Sequence, residues 1–243
     1  EAGVILNKLE GDVKKNDENA WQTSFSNEKT LEVMKEVAED VFDETGIHMD
    51  LGLDIASSQF FKKGKYYPEN KSFRASKNLK KKQKGFYYYE NDKQILTREE
   101  QIAHIANLIE KYNLFYVEDP LDEEDFEGFA TLLKITKGKC LICGDDLTTT
   151  NLKRLKIAIK KKSINAMIIK PNQIGSLLEV REVIDLCKKN KIYTIMSHRS
   201  GETLDDTIAD LAFAWQCDFI KIPVIGEERL AKVNRLKEIE QNL

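Results

Sequence analysis

"YTIMSHRSGETLDD" (residues 193–206) is the stretch whose reading decides the fold. A run rich in apolar and β-branched residues stops abruptly at Ser197-His198-Arg199-Ser200, and a glycine follows. Such a run reads as a buried strand, and the polar cluster marks its C-terminal end. A histidine, an arginine and two hydroxyls are costly to gather there unless something pairs with them. They imply an anion or a metal.

Working outward, the same pattern recurs in "LFYVEDP", "CLICGDD", "NAMIIKPN" and "CDFIKIP". The terminal polar residues Glu118, Asp145, Lys170, His198 and Lys221 are separated by 27, 25, 28 and 23 positions. That interval fits one strand plus one helix, and repeated βα units imply a parallel sheet in an α/β fold. The runs lack alternation, as strands covered on both faces should. An earlier run, "HMDLGLDIASS", supplies another strand end at Asp54.

The intervening helices are legible. "TREEQIAHIANLIEKY" puts Ile102, Ile105, Ile109 and Tyr112 on one face, with Thr97 as N-cap and Glu100 completing a capping box. "SLLEVREVIDLCKKN" suggests a stripe of Leu178, Val180, Val183 and Leu186, and its lysines suit a helix C-terminus. "NEKTLEVMKEVAEDVF" suggests one of Leu31, Met34, Val37 and Val41. The rhythm breaks between Asp54 and Glu118, where a lysine-rich insertion at about 62–94 reads as a solvated loop or hairpin, with "GFYYYEND" as one arm. Its "KNLKKKQK" run is an anion patch or, more simply, a solvated charge run.

The chain of 243 residues is 41% hydrophobic and 33% charged with formal net charge −3, enough for one large domain with a real core, or two small ones. This balance argues against nucleic-acid and membrane partners. No apolar stretch approaches a membrane span and no signal peptide opens the chain, so a cytoplasmic protein is expected. The first residue is Glu1 rather than Met, which fits a processed, cropped or partial chain. Cys140 and Cys143 form a C-x-x-C without a second pair or nearby histidine, which leaves a metal or redox role open beside buried, reduced thiols.

Parallel α/β folds place their chemistry at the C-terminal ends of strands. Asp54, Glu118 and Asp145 from successive strands make a hard oxygen site, for which magnesium is the natural occupant. Lys170, Arg199 and Lys221 balance a highly anionic ligand. Taken singly, each has a plainer reading: an aspartate as a turn or cap, a lysine snorkelling at the surface, a histidine satisfied in the core.

The motifs "GLDIASSQFF", "VEDPLDEEDF", "GDDLTTTN", "IIKPNQIGSLLE" and "SHRSGETLDDTIADLA" resemble the enolase signatures, in enolase order, from about Asp17 to the C-terminus. The resemblance implies an enolase-type modified (β/α)8 TIM barrel spanning 1–243, most of the barrel without the N-terminal α+β domain. It implies a lyase that reversibly dehydrates 2-phosphoglycerate to phosphoenolpyruvate in glycolysis and gluconeogenesis. Two Mg2+ ions per active site are implied, the second needing a segment that this chain does not match, and so is a homo-oligomer, dimer or larger.

Carried over by motif, Asp54, Glu118 and Asp145 look like the ligands of the first magnesium and Lys170 like the base that takes the C2 proton. Arg199 and Ser200 resemble the phosphate-binding pair, Lys221 the second active-site lysine, and His198 lies in the same loop. Glu18 resembles the acid that assists departure of the C3 hydroxyl, although Asn16 and Asn19 replace the glycines of the family's G-D-E-G. Gln59 stands where a glutamate is common, and "IKIPVIGEERLAKVN" keeps Lys221 and an E-R-x-A-K element with a changed loop between. These departures and the unmatched segment leave a rival: a non-catalytic enolase-like protein, or fragment, with a binding or structural role. Acid-sugar or muconate-type enzymes of the superfamily fit less well, because K-x-N-Q-I-G with S-H-R-S points to enolase itself.

Overall fold

The computed structural model describes residues 2–10, 13–16, 20–67, 72–75, 85–90 and 92–243. In chain order the elements are α1 (Ala2–Glu10), α2 (Asn27–Thr45), β1 (Gly52–Asp54), β2 (Phe61–Tyr67), β3 (Ser72–Ala75), β4 (Gly85–Tyr89) and β5 (Gln94–Thr97). They continue as α3 (Arg98–Tyr112), β6 (Tyr116–Glu118), α4 (Phe126–Thr136), β7 (Leu141–Gly144), α5 (Leu152–Lys161), β8 (Ala166–Ile169) and α6 (Pro171–Ile174). The last are α7 (Leu177–Lys189), β9 (Tyr193–Ser197), α8 (Thr207–Ala214), β10 (Phe219–Lys221) and α9 (Glu227–Gln241). No helix among the described residues is long and apolar enough to cross a membrane.

The chain forms two compact units. One comprises Asp50–Leu147 and Ile157–Asn165. In it β1, β6 and β7 pair in parallel, with Asp54 opposite Glu118 and Glu118 opposite Cys143. The run 141–144 is buried throughout, as expected for a strand covered on both faces. Helix α3 starts at the expected capping box, Thr97 and Glu100 each accepting from the other's backbone N–H, and buries Ile102, Ile105, Ile109 and Tyr112. The insertion is an antiparallel sheet in the order β3-β2-β4-β5, with "GFYYY" as β4 between β2 and β5. Its aromatic side is anchored: Tyr87 is buried and its hydroxyl accepts from the Asp122 N–H at 3.0 Å. The "KNLKKKQK" run, 77–84, and with it the anion patch or charge run it was read as, lies outside the described residues.

The other unit comprises Glu1–Met49, Thr148–Lys156 and Ala166–Leu243. Here β8, β9 and β10 pair in parallel, with Ser197 opposite Lys221. Helix α7 packs on β8 and β9 through Val180, Val183, Ile184 and Cys187. This corrects the expected stripe: Leu178 is 81% exposed and Leu186 is half-buried. The reason is rotation. Leu178 lies roughly 200° around the helix from Val180, on the far side from the i, i+3, i+4, i+7 set. In α2 the buried set is Leu31, Val33 and Val37, while Met34 is exposed and Val41 packs, partly buried, against a small cluster with Leu6.

None of the four cysteines is in a disulfide, and Cys140, Cys143 and Cys187 are buried. Burial pushes the thiols of Cys140 and Cys187 up to about 12.

The corrected α7 face predicts different costs for two conservative truncations. Val183→Ala should destabilise the protein by about 2 kcal/mol in urea unfolding, because a filled site is emptied. Leu178→Ala should change stability by no more than about 0.5 kcal/mol. Equal losses would restore the stripe read from sequence.

Candidate active site

Each of the six parallel-paired strands ends at, or one residue before, the polar residue expected to mark it. Strands β1, β6 and β10 finish on Asp54, Glu118 and Lys221; β7, β8 and β9 stop just before Asp145, Lys170 and His198.

In the unit that carries the carboxylates, register does the positioning. Opposed residues on parallel strands share a face and lie about 4.8 Å apart. Asp54 and Glu118 are opposed, and Asp145 follows the end of β7, two residues beyond Cys143, which is opposed to Glu118. Their environments differ. Asp54 is exposed and Glu118 is fully buried, with the Tyr116 hydroxyl donating to it. Burial first, and then the neighbouring Cys143 and Glu118, drive the Tyr116 pKa far above its ordinary value, so the phenol stays a donor.

Among the described residues, the acidic group that converges most tightly is Asp119, Asp145 and Asp146, with ligand oxygens within 4.8 Å of one another. It shares only Asp145 with the trio read from sequence. Asp119 is itself a brace: its two carboxylate oxygens accept the backbone N–H groups of Asp145 at 3.1 Å and Asp146 at 2.8 Å. It sits at φ 41, a left-handed conformation that aspartate tolerates better than most residues. Burial raises its pKa well above the usual range, and the charges of Asp145 and Asp146 add to this against the two N–H donors.

These residues fit a divalent cation. The donor set is all carboxylate oxygen, which suits Mg2+, and positive charge would relieve the crowding of acids at the end of β7. The clue in the sequence was the doubled acid of "VEDP" and of "GDDL".

In the other unit, Lys170 caps the short helix α6, and Pro171 takes the first helical position, where a missing N–H costs nothing. The Lys170 N–H donates to Thr150 Oγ1 at 2.8 Å, and Thr150 Oγ1 donates to Gln173 Oε1 at 2.9 Å. Thr149 and Thr150 both hold left-handed backbone, at φ 48 and 52. For β-branched residues that conformation costs on the order of 1–3 kcal/mol each, and it puts Thr150 under the lysine backbone.

The Arg199 guanidinium donates to Asn172 Oδ1 at 2.9 Å, so the K-P-N-Q segment also braces the arginine. His198 is buried and its N–H donates to the Lys221 carbonyl at 3.1 Å. Arg199 and Ser200 are exposed, and Lys221 is half-buried.

Behind this loop lies a buried group to which sequence reading gave no role. Glu202 Oε1 accepts the Arg199 N–H at 2.6 Å and Glu202 pairs with Lys232 at 2.7 Å. Lys232 is fully buried and Arg229 nearly so. Both belong to the E-R-x-A-K element, whose regular spacing was visible but whose inward direction was not.

Glu18 lies outside the described residues. At its flank, Asn16 Oδ1 accepts the Ala20 N–H at 2.9 Å and the Asn16 N–H donates to the Ala20 carbonyl at 2.9 Å.

The profile of the family described as "Enolase, C-terminal TIM barrel domain" matches residues 10–243. The chain belongs to the enolase family. It is 45% identical over 229 residues to an enolase of Methanocorpusculum labreanum, covering 94% of this chain and 52% of that protein. An enolase of Methanosphaera stadtmanae is 45% identical over 229 residues, covering 94% and 51%, and one of Natronomonas pharaonis 42% over 228 residues, covering 94% and 52%. The chain thus spans about half the length of the curated enolases it matches.

Glu202 gives a pH prediction. Burial would raise its pKa, but the Lys232 hydrogen bond, the Arg199 N–H and the charges of Lys232 and His198 outweigh burial and hold it below the ordinary value. A depressed carboxylate stabilises the fold above its unfolded pKa of about 4.3, and that stability is lost as pH falls through the folded value. Glu202→Gln should therefore lower the melting temperature at pH 7, with the gap to parent closing as pH falls below about 4. A gap that is constant with pH would show that the carboxylate charge is not its source.

Proposed function

We propose that the protein containing this chain is an active enolase, a hydro-lyase that converts 2-phosphoglycerate to phosphoenolpyruvate and back. The observation that carries this reading is the double brace of the K-P-N-Q segment: Thr150 under Lys170, and Asn172 on Arg199. A proton acceptor and a planar anion fork are thereby fixed on one short stretch of backbone, as proton transfer from a phosphorylated substrate requires.

In this reading Arg199 and Ser200 hold the phosphate, with His198 and Lys221 at the adjoining strand ends. Lys170 takes the proton from C2, breaking the C–H bond, and the electron pair left behind forms the C2–C3 double bond. The C3 hydroxyl departs as water, with Glu18 supplying the proton. Asp54, Glu118 and Asp145 would hold Mg2+, with Asp119 bracing the turn at Asp145. Magnesium, two ions per site, would supply positive charge against that building on the substrate carboxylate. A cytoplasmic homo-oligomer working in glycolysis and gluconeogenesis completes the proposal.

The rival reading, a non-catalytic enolase-like protein, rests on the asparagines around Glu18. Retention of Asp54, Glu118, Asp145, Lys170 and Lys221 favours the enzyme.

The test uses the full-length protein at saturating magnesium, with enol phosphate followed by ultraviolet absorbance. Parent protein should turn over, and magnesium should raise its melting temperature, since a ligand of the native state stabilises it. Asp145→Ala should abolish turnover and most of the magnesium-induced shift. An inactive parent would support the binding-only reading. An undiminished shift in the variant would place the metal elsewhere.

A further inference from the structure

We propose that Lys232, acting with Glu202, is a positioning residue for the loop 198–203, and that anion affinity at Arg199 and Ser200 depends on it. The inference rests on reading that loop as the phosphate site.

Lys232 is fully buried on α9, an unusual place for a lysine. An ammonium group has three donors. All find acceptors: the Thr203 carbonyl at 2.6 Å, the Glu228 carbonyl at 2.7 Å and a Glu202 carboxylate oxygen at 2.7 Å. Two of these acceptors lie in the loop. Glu202 passes the constraint on, since its other oxygen takes the Arg199 N–H at 2.6 Å. One turn earlier on α9, Arg229 is 2% exposed, pairs with Glu228 and donates to the Ser200 carbonyl at 3.3 Å.

The buried cations thus hold the loop backbone at Ser200 and Thr203, and through Glu202 at Arg199. On the outer side, the Arg199 and Ser200 side chains remain exposed. Stability alone is a poor explanation for this arrangement. A buried ion pair commonly adds little over apolar residues of the same volume, whereas its loss on one side is costly. The pair's distinctive property is direction: it fixes carbonyls and one N–H that a hydrocarbon cannot grip. Both cations are buried and bonded to the loop backbone or to Glu202, so the effect passes through backbone geometry, where misplacement of about 1 Å is expensive.

The experiment uses the full-length protein and four variants: Lys232→Met, Glu202→Gln, the double variant, and Arg199→Gln as a control. Inorganic phosphate affinity is measured by calorimetry, alongside KM and kcat for 2-phosphoglycerate and the melting temperature. Lys232→Met and Glu202→Gln should each weaken phosphate binding and raise KM by about tenfold, with kcat at saturation changed no more than about threefold. The double variant should resemble the singles rather than their product, because both act through one link. Parental phosphate affinity and KM in a folded Lys232→Met or Glu202→Gln protein would overturn the proposal. If Lys232→Met does not fold, Glu202→Gln decides. Should Arg199→Gln leave phosphate affinity unchanged, the phosphate reading itself fails, and the proposal with it.

Discussion

Parallel pairing in register is the constraint on which the rest depends. Within one unit it sets Asp54 beside Glu118 and brings the end of β7 level with them; within the other it sets Ser197 beside Lys221. A slip by one residue would turn every one of these side chains to the opposite face. The chemistry is therefore written at strand ends because that is where a buried sheet stops and polar groups can be placed without breaking a ladder.

The backbone just past these strand ends is expensive and specific. Ala56, Asp119, Thr149 and Thr150 all adopt the left-handed conformation there. Non-glycine residues hold that conformation only where surrounding bonds over-determine it. Those bonds are visible: Asp119 grips two N–H groups, and Thr150 sits between Lys170 and Gln173. At 198–203, Lys232 and Arg229 grip the loop backbone through the Thr203 and Ser200 carbonyls. In that loop the Arg199 and Ser200 side chains are exposed, and the two cations that hold their backbone are buried.

The sequence carried the strand ends well, because an apolar run interrupted by a polar residue has only one sensible reading at a spacing near 25 residues. It also carried the Thr97–Glu100 cap, a local interaction complete within four residues. It misphased α7, since Leu178 and Leu186 are as apolar as Ile184 and Cys187 and only packing on β8 and β9 chooses between them. The strand-end positions of Asp54, Glu118, Asp145 and Lys170 were legible from motifs. Asp119, Thr150, Glu202 and Lys232 were not assigned roles, because a brace is defined by a contact far along the chain. Glu202 and Lys232 are thirty positions apart and meet only in the fold.

The central claim is that this chain supplies the base for proton removal at C2, and exchange of that proton with solvent tests it most directly. Full-length protein with magnesium and 2-phosphoglycerate in deuterated water should wash deuterium into C2, as followed by proton NMR, and Lys170→Ala should stop the exchange while substrate binding stays measurable. Exchange at the parental rate in a folded Lys170→Ala protein would contradict the account, because the base would then lie elsewhere.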